Sequence, residues 1–193
     1  MRKIKLQMQV SADGFVCGPN GEMDWTTWNW DEALKNYVKE LMAPADSFII
    51  GRILYEGMSM YWPAAETNPE SSEDDRAAAK AFNSMPKHVF SKTLTTADWN
   101  NAIIESGDLV ETINTLKNQE GRDILLYGGV KMVSSFIQNN LIDEYHLFIN
   151  PTAIGKGRSI FGDLTEKLGL QLVKSQAFSC GIVVLNYVPA KQS

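Results

Sequence analysis

Three short segments combine residue types that can bind a phosphate group. Each comes directly after a predicted strand: Gly51-Arg52, Ser91-Lys92 and Gly128-Gly129. Paired glycines let a ligand approach the backbone, and the helix that follows offers unpaired N–H groups to an anion. A guanidinium, an ammonium or a hydroxyl can bind a second phosphate, as NADP carries at its 2′ position. The three segments together predict a dinucleotide site.

These segments need a sheet that brings their strands side by side. In residues 4–149, short strand-like runs alternate with amphipathic helical runs, which predicts an α/β fold with a mainly parallel sheet covered on both faces. The runs 170–175 and 182–188 predict a closing hairpin that adds antiparallel strands at one edge. Because the carboxyl ends of parallel strands share one edge, the three segments are expected to meet there.

Two segments gave further expectations about local structure. Apolar and polar residues alternate over 4–10, which is the period of a half-buried strand. Residues 64–80 are acidic and almost free of large apolar side chains, and they predict a solvated loop that passes into a helix. We see no repeat and no linker, so residues 1–193 are interpreted as a single domain.

Composition excludes several classes of protein. The 193 residues are 44% hydrophobic and 21% charged with a net charge of −5, which is ordinary for a globular chain. The 18 Lys and Arg residues form no basic block against 23 acids, so nucleic acid is not an expected partner. Neither a membrane span nor a signal peptide is visible, which predicts a cytoplasmic protein.

The reactive side chains that metal and thiol chemistry need are scarce. Two histidines and two distant cysteines offer no metal cluster, so no metal is expected and both thiols are predicted to be reduced. Gly155-Lys156-Gly157 lacks the remaining residues of a P-loop, and no GxGxxG motif follows the first strand.

An ordered series of motifs, spread over nearly the whole chain, resembles the dihydrofolate reductase superfamily. The similarity is closest to the C-terminal reductase domain of the bifunctional riboflavin-biosynthesis deaminase/reductase and its stand-alone relatives. The motifs that carry it are Ser11–Phe15, Gly18–Gly21 with Trp25, Ile50–Arg52 with Tyr55-Glu56, Phe90–Leu94, Tyr127–Gly129, Leu141–Tyr145, Pro151, and Gly155–Gly157 with Phe161.

The resemblance implies a dihydrofolate-reductase-like three-layer fold and an NADPH-dependent reductase, active on a pteridine-like or ribosylamino-pyrimidine-like substrate and assembled as a homodimer. By position, Arg52, Ser91 and Lys92 would bind the 2′-phosphate. The pyrophosphate would contact Gly128, Gly129, Val130 and Lys131. The remaining cofactor contacts implied are Val10, Gly18, Gly51 and the backbone of Leu54, where the family often has Thr.

A reduction also needs a proton, and the sequence leaves its source open. The candidates are Asp13, Asp31 and Tyr127, or a water that one of them positions. Asp13 precedes a glycine and can equally be a turn residue, whereas Asp31 can equally be a helix-start residue. Tyr127 stands where the riboflavin enzymes typically have Glu. A nucleotide-binding protein with little or no catalysis, or a purely structural protein, therefore remains an alternative.

Overall fold

The computed structural model describes residues 1–190 and contains one eight-stranded sheet. Along the sheet the strand order is β4-β3-β2-β5-β1-β6-β8-β7. Its strands are β1 (Ile4–Val10), β2 (Ala45–Gly51), β3 (Lys87–Phe90), β4 (Ala102–Glu105), β5 (Asp123–Gly128), β6 (Glu144–Ile149), β7 (Leu170–Ala177) and β8 (Val183–Pro189). β1 to β6 run parallel, while β8 pairs antiparallel with both β6 and β7. The predicted fold class is confirmed, including the antiparallel closing strands.

Five helices cover the two faces of this sheet. They are α1 (Glu32–Met42), α2 (Arg52–Thr67), α3 (Glu73–Ser84), α4 (Leu109–Asn118) and α5 (Val130–Gln138). α4 and α5 pack against the large apolar cluster that includes Leu6, Leu126 and Leu147. α1, α2 and α3 cover the opposite face, where two smaller clusters form around Phe48 and Phe148. The result is a three-layer α/β/α arrangement, and none of the helices described is long and apolar enough to cross a membrane.

Residues 64–80 do contain a loop that passes into a helix, as predicted, but the loop covers only residues 68–72. α2 continues through Pro63 to Thr67, and only residues 68–72 separate it from α3. Alanine-rich composition favours helix here, and the Ser72 side chain caps α3 by accepting from the backbone N–H of Asp75. Acidic residues in the first turn of α3 are stabilised by the helix dipole, so the acids that resembled a solvated loop instead begin a helix.

The expectation that β1 is half-buried is wrong. β1 is a central strand with a neighbour on each side, and helices cover both of its faces. Gln7 and Gln9, on the polar side of the alternation, are each only 8% exposed. Polar side chains on β1 therefore face the interior beneath α1. The prediction of a single domain over residues 1–193 stays a prediction.

Both cysteines are free thiols, with Cys17 buried and Cys180 partly exposed. No group of metal-ligating side chains occurs among the residues that the structure describes.

Candidate functional site

The carboxyl ends of β3, β2, β5 and β1 form one continuous edge of the sheet. Gly51, the last residue of β2, is paired with Phe90 of β3, and Ile50 is paired with Gly128 of β5. A Cβ atom added at Gly51 would lie 3.5 Å from the Gly128 carbonyl oxygen. The three segments singled out in the sequence are therefore neighbours along this edge, which we call the cofactor edge.

Two helices begin at the cofactor edge without a side-chain cap. Gly51 precedes α2 and Gly129 precedes α5, and neither can offer a side-chain oxygen to the first N–H groups of its helix. At most helix starts these donors are satisfied by Ser, Thr, Asp or Asn. Free N–H groups at a helix N-terminus attract an anion.

The paired glycines have a backbone that favours glycine. Gly128 has φ +121° and Gly129 has φ +58° with ψ +137°, both in regions that other residues rarely adopt. A Cβ atom at Gly129 would meet nothing within 4 Å, so the space beside it is open. Open space, unusual backbone and an uncapped helix together make an open cradle, and these are features that anion sites at helix N-termini share.

Three exposed cations lie at the ends of the strands or helices along the cofactor edge. Arg52 begins α2, Lys92 follows β3, and Lys131 lies in the first turn of α5. Arg52 donates from Nη1 to Glu56 Oε1 at 2.6 Å, one turn along α2, so an anion would have to share or displace this partner. The Ser91 hydroxyl accepts from the backbone N–H groups of Thr93 and Leu94, which shapes the turn after β3.

The remaining predicted cofactor residues lie at or beside the same edge. Val10 ends β1, and Leu54 is half-buried in α2 among the apolar side chains around Phe48. Gly18 is buried in the loop after β1, where an added Cβ would collide with the Glu22 carboxylate at 2.3 Å. Each cofactor-binding role assigned above stays a prediction.

The structure gives Asp13 a structural role. Its carboxylate accepts from the Ser11 hydroxyl at 2.6 Å and from the backbone N–H of Gly155 at 2.7 Å. The hydrogen bond from Ser11, helped by Gly155 and Ile154, lowers the pKa of Asp13 below its usual value. Asp13 thereby joins the loop after β1 to the loop after β6, and a carboxylate held in this ionised form is a poor proton donor. Its predicted catalytic role stays a prediction.

Asp31 is the helix-start residue that the sequence offered as the alternative to a catalytic acid. Its carboxylate caps α1 by accepting from the backbone N–H of Leu34 at 2.8 Å. It also accepts from the Ser179 hydroxyl and the Cys180 N–H in the turn between β7 and β8. The Ser179 bond, followed by that from Leu34, lowers the pKa of Asp31 to about 2. Its catalytic role stays a prediction, and its position is over β6 and β8 rather than beside the glycines.

Tyr127 points into an aromatic cluster on the α2/α3 side of the sheet. Its ring centroid lies 5.8 Å from that of Phe48 and 5.5 Å from that of Phe82. The buried hydroxyl has no hydrogen-bond partner in the described structure, and burial raises its pKa. A neutral phenol next to Gly128 can relay a proton, so its predicted role also stays open.

Sequence reasoning missed Asn150, which organises the end of β6. This fully buried side chain donates to Gln9 Oε1 at 2.8 Å and accepts from the backbone N–H of Thr27 at 2.9 Å. It thereby holds the tryptophan-rich loop before α1 against the sheet. A polar residue directly after an apolar strand and before Pro151 was the available signal.

Comparisons with known proteins agree with this fold. Residues 2–184 match the RibD C-terminal domain family, and the chain therefore belongs to that family. The uncharacterized protein YyaP of Bacillus subtilis is 33% identical over 186 residues, which cover 96% of this chain and 94% of YyaP.

Solved structures show the same fold at low identity. A putative riboflavin biosynthesis protein from Shewanella has a TM-score of 0.73 and 22% identity, over 99% of this chain and 100% of that one. Dihydrofolate reductase from Enterococcus faecalis, complexed with NADP(H), has a TM-score of 0.61 and 13% identity, over 98% and 97% of the two chains. These structures show that the chain has the dihydrofolate-reductase-like fold that the resemblance implied.

Proposed function

We propose that the protein is an NADPH-dependent reductase that transfers a hydride to a small heterocyclic substrate. The substrate would be pteridine-like or ribosylamino-pyrimidine-like, as in riboflavin or folate metabolism. One observation carries the proposal: three neighbouring strand ends place two uncapped helix N-termini and an open glycine cradle at one edge. Membership of the RibD C-terminal domain family and the fold shared with an NADP(H)-binding reductase support it.

The residues of the cofactor edge divide into two groups under this proposal. Gly128, Gly129 and the first turn of α5 would bind the pyrophosphate through backbone N–H groups, with Lys131 adding positive charge. Arg52, Ser91 and Lys92 would bind the 2′-phosphate, because a guanidinium matches a phosphate geometrically and a lysine matches it by charge.

NADPH would supply the hydride, and the chain would orient the ring and exclude water. The end of β1 and its following loop, from Val10 to Gly18, would lie along the nicotinamide. The hydrogen bonds of Asp13 hold this loop to the segment after β6, which keeps its shape fixed. Pre-organised walls of this kind favour the short, aligned approach that hydride transfer requires.

Titration of the purified protein with NADPH and NADH, followed by nucleotide fluorescence, tests the phosphate assignment. Arg52→Ala should weaken NADPH by about 1.5–3 kcal/mol, the scale of a charged hydrogen bond, and barely affect NADH. Lys39→Ala removes an exposed cation from α1 and should leave both affinities unchanged. Equal losses for the two nucleotides would contradict the 2′-phosphate role of Arg52.

Replacement of Gly129 tests the cradle itself. Gly129→Val should abolish nucleotide binding, because valine resists φ +58° with ψ +137° and its side chain occupies the open space. Far-UV circular dichroism should show an intact fold. Unchanged nucleotide affinity would mean that the paired glycines form only a turn.

One observation favours a second possible function, that of an NADP-binding protein with little or no catalysis. Asp13 and Asp31, two of the three candidate acids, already use their carboxylates in structural hydrogen bonds. The two functions differ in one measurement, the steady loss of NADPH absorbance with a panel of pteridine, pyrimidine and carbonyl acceptors. Binding without turnover of any acceptor would favour the second function.

The exposed edge strand favours the predicted homodimer. Within residues 1–190 no strand pairs with the outer edge of β7, and its Leu172 and Val173 are 50% and 58% exposed. Pairing between two copies would cover these apolar side chains. Light scattering should find a dimer that Val173→Lys weakens, and a monomeric wild-type protein would contradict the proposal. The cytoplasmic location stays a prediction.

A further inference from the structure

Unpartnered polar atoms gather on the α1 side of the sheet. Within residues 1–190, five buried side-chain atoms have no hydrogen-bond partner: Gln7 Oε1, Thr26 Oγ1, Tyr127 Oη, His146 Nε2 and Asn186 Oδ1. Each such atom costs about 1–3 kcal/mol if it stays dry, so a cluster of them needs an explanation. Four of the five belong to strands at the centre of the sheet, and only Thr26 lies in a loop.

Strand register places those four side chains in one row. His146 on β6 is paired with Gln7 on β1 and with Asn186 on β8. Leu6 is paired with Leu126, so the next residues, Gln7 and Tyr127, are also neighbours. Because side chains alternate between faces, all four project toward the α1/α2/α3 layer. We call Tyr127, Gln7, His146 and Asn186 the polar row.

Direct hydrogen bonds satisfy the polar groups next to this row. Gln9 and Asn150, one step closer to the cofactor edge, bond to each other at 2.8 Å. The Tyr37 hydroxyl lies 2.7 Å from His146 Nδ1, which fixes the orientation of the ring. Glu144 Oε2 is 3.5 Å from Nε2, too far for a good hydrogen bond. The unpaired atoms are thus confined to a line and are not a general feature of this face.

We propose that the polar row binds a chain of internal water molecules and that this chain carries a proton toward the cofactor edge. Neighbouring strands lie about 4.8 Å apart. A water that bridges two polar atoms spans about 5.6 Å, from two hydrogen bonds of about 2.8 Å each. Strands at this spacing are compatible with one bridging water between neighbouring side chains of the row, and buried water is normally held by about three polar groups.

The row connects a group near solvent with the strand that ends at the glycines. Glu144 lies beside His146, the third member of the row, and bonds to Lys3, whose side chain is 58% exposed to solvent. At one end of the row Tyr127 directly precedes Gly128 in β5, and its ring packs against Phe48 and Phe82. Gln7 lies between His146 and Tyr127, where its carboxamide can orient water without itself changing charge.

The inferred role rests on the proposed reductase function. A hydride delivered to a substrate carbon must be accompanied by a proton on the adjacent nitrogen or oxygen, and NADP⁺ leaves. That proton would come through the phenol of Tyr127, which takes a replacement from the water chain and finally from solvent. Gln7 is a positioning residue in this scheme. The ionised, fully bonded carboxylates of Asp13 and Asp31 do not compete for the role.

A crystal structure with ordered solvent tests the water chain without any substrate. Water molecules should lie within hydrogen-bonding distance of Gln7 Oε1, His146 Nε2 and Asn186 Oδ1. A dry row, or side chains that turn to bond directly to one another, would overturn the proposal. This outcome is independent of whether the protein binds NADPH.

Thermal unfolding of Gln7→Leu distinguishes a water-filled row from a dry row, because the two predict Tm shifts of opposite sign. If water fills the row, leucine displaces the bridging water, and the other polar groups that bonded to it lose their partner. Tm should then fall by about 3–6 °C. If the row is dry, leucine removes an unsatisfied carbonyl and Tm should rise. Gln171→Leu makes the same change at an exposed position of β7 and should shift Tm by less than about 1 °C.

The proton role has a separate kinetic test with the acceptor that the NADPH panel identifies. Gln7→Leu should lower kcat about 10-fold or more, with an increased D2O effect, while KM and NADPH affinity change less than about 2-fold. Tyr127→Phe should do the same, which covers the case in which Gln7→Leu folds poorly. Unchanged kcat would overturn the proton role, even with water present. Failure of wild-type NADPH binding would instead remove the proposed function and the proton role with it.

Discussion

The two faces of the central sheet are built from different chemistry. Under α4 and α5 lies a continuous apolar cluster in which Leu6, Leu126 and Val133 are fully buried. Under α1 the same strands present Lys5, Gln7 and His146. Burial of aliphatic surface stabilises the fold by about 25 cal/mol per Å², whereas burial of polar groups gains little unless each finds a partner. The first face is therefore stabilised by apolar burial throughout, whereas the second combines the apolar clusters around Phe48 and Phe148 with polar groups that need partners.

Truncation on the apolar face should have the largest effect on stability. Leu126→Ala removes a fully buried side chain from the cluster under α4 and α5, and close packing prevents its neighbours from filling the cavity. We expect the free energy of unfolding in urea to fall by about 2–5 kcal/mol. Leu172→Ala, at an exposed position, is the matched control and should cost far less. Equal losses would mean that burial of Leu126 in this cluster contributes little to stability.

Acid should destabilise the protein mainly by protonating Glu144, which lies on the α1 side of the sheet. Three neighbours lower the pKa of Glu144 from 4.5 to about 2: the His146 ring, whose Nε2 lies 3.5 Å from Oε2, the hydrogen bond from Lys3, and the charge of Lys5. The folded protein thus holds this proton more weakly than the unfolded chain. The stabilisation is complete above pH 4.5 and is lost as pH falls toward 2, by up to about 3 kcal/mol.

Glu144→Gln should remove this part of the acid sensitivity. Unfolding free energies of the variant and the wild type, compared between pH 2 and pH 6, should converge at the acid end. A variant whose stability falls as steeply as the wild type's would show that other carboxylates cause the acid loss. Glu166→Gln, at an exposed position, is the matched control.

Removal of a helix cap should give the smallest difference in stability between the two faces. Asp31 caps α1 and Asp108 caps α4, each accepting a backbone N–H three residues on. Replacement of either by Ala should cost about 0.5–2 kcal/mol. Asp31→Ala should be the costlier change, because Ser179 and Cys180 also lose their acceptor. Equal thermal shifts would mean that the link from α1 to the closing hairpin contributes nothing.

The elements that sequence periodicity predicted well are those that begin or end at a glycine or a helix-capping residue. β2 ends at Gly51, β5 ends at Gly128 and α1 is capped by Asp31, and each was visible because glycine or aspartate is favoured there by backbone geometry or hydrogen bonding. The loop between α2 and α3 is shorter than the sequence suggested, because parts of these helices bury only small residues, such as Ala65 and Ala79, and show no strong apolar pattern.

The candidate site was only partly visible in the sequence. The cofactor edge could be inferred because all its segments follow strands, and strand ends share an edge. The roles of Asp13 and Asp31 could not be separated, because their hydrogen-bond partners are 141 and 148 residues away in the chain. Only folding brings Ile154 and Ser179 next to these carboxylates and holds them ionised.

The sequence by itself determined which segments become strands, where most of them end and which residues stand at those ends, because these depend on local periodicity and backbone preference. Only the tertiary structure decided that β1 is central, and therefore that Gln7 is buried. Strand order is a long-range property: the neighbours of β1 are β5 and β6, which begin at Asp123 and Glu144. The alternation along β1 is the same whether α1 or solvent covers its polar side, and that difference decides whether its carboxamides need internal partners.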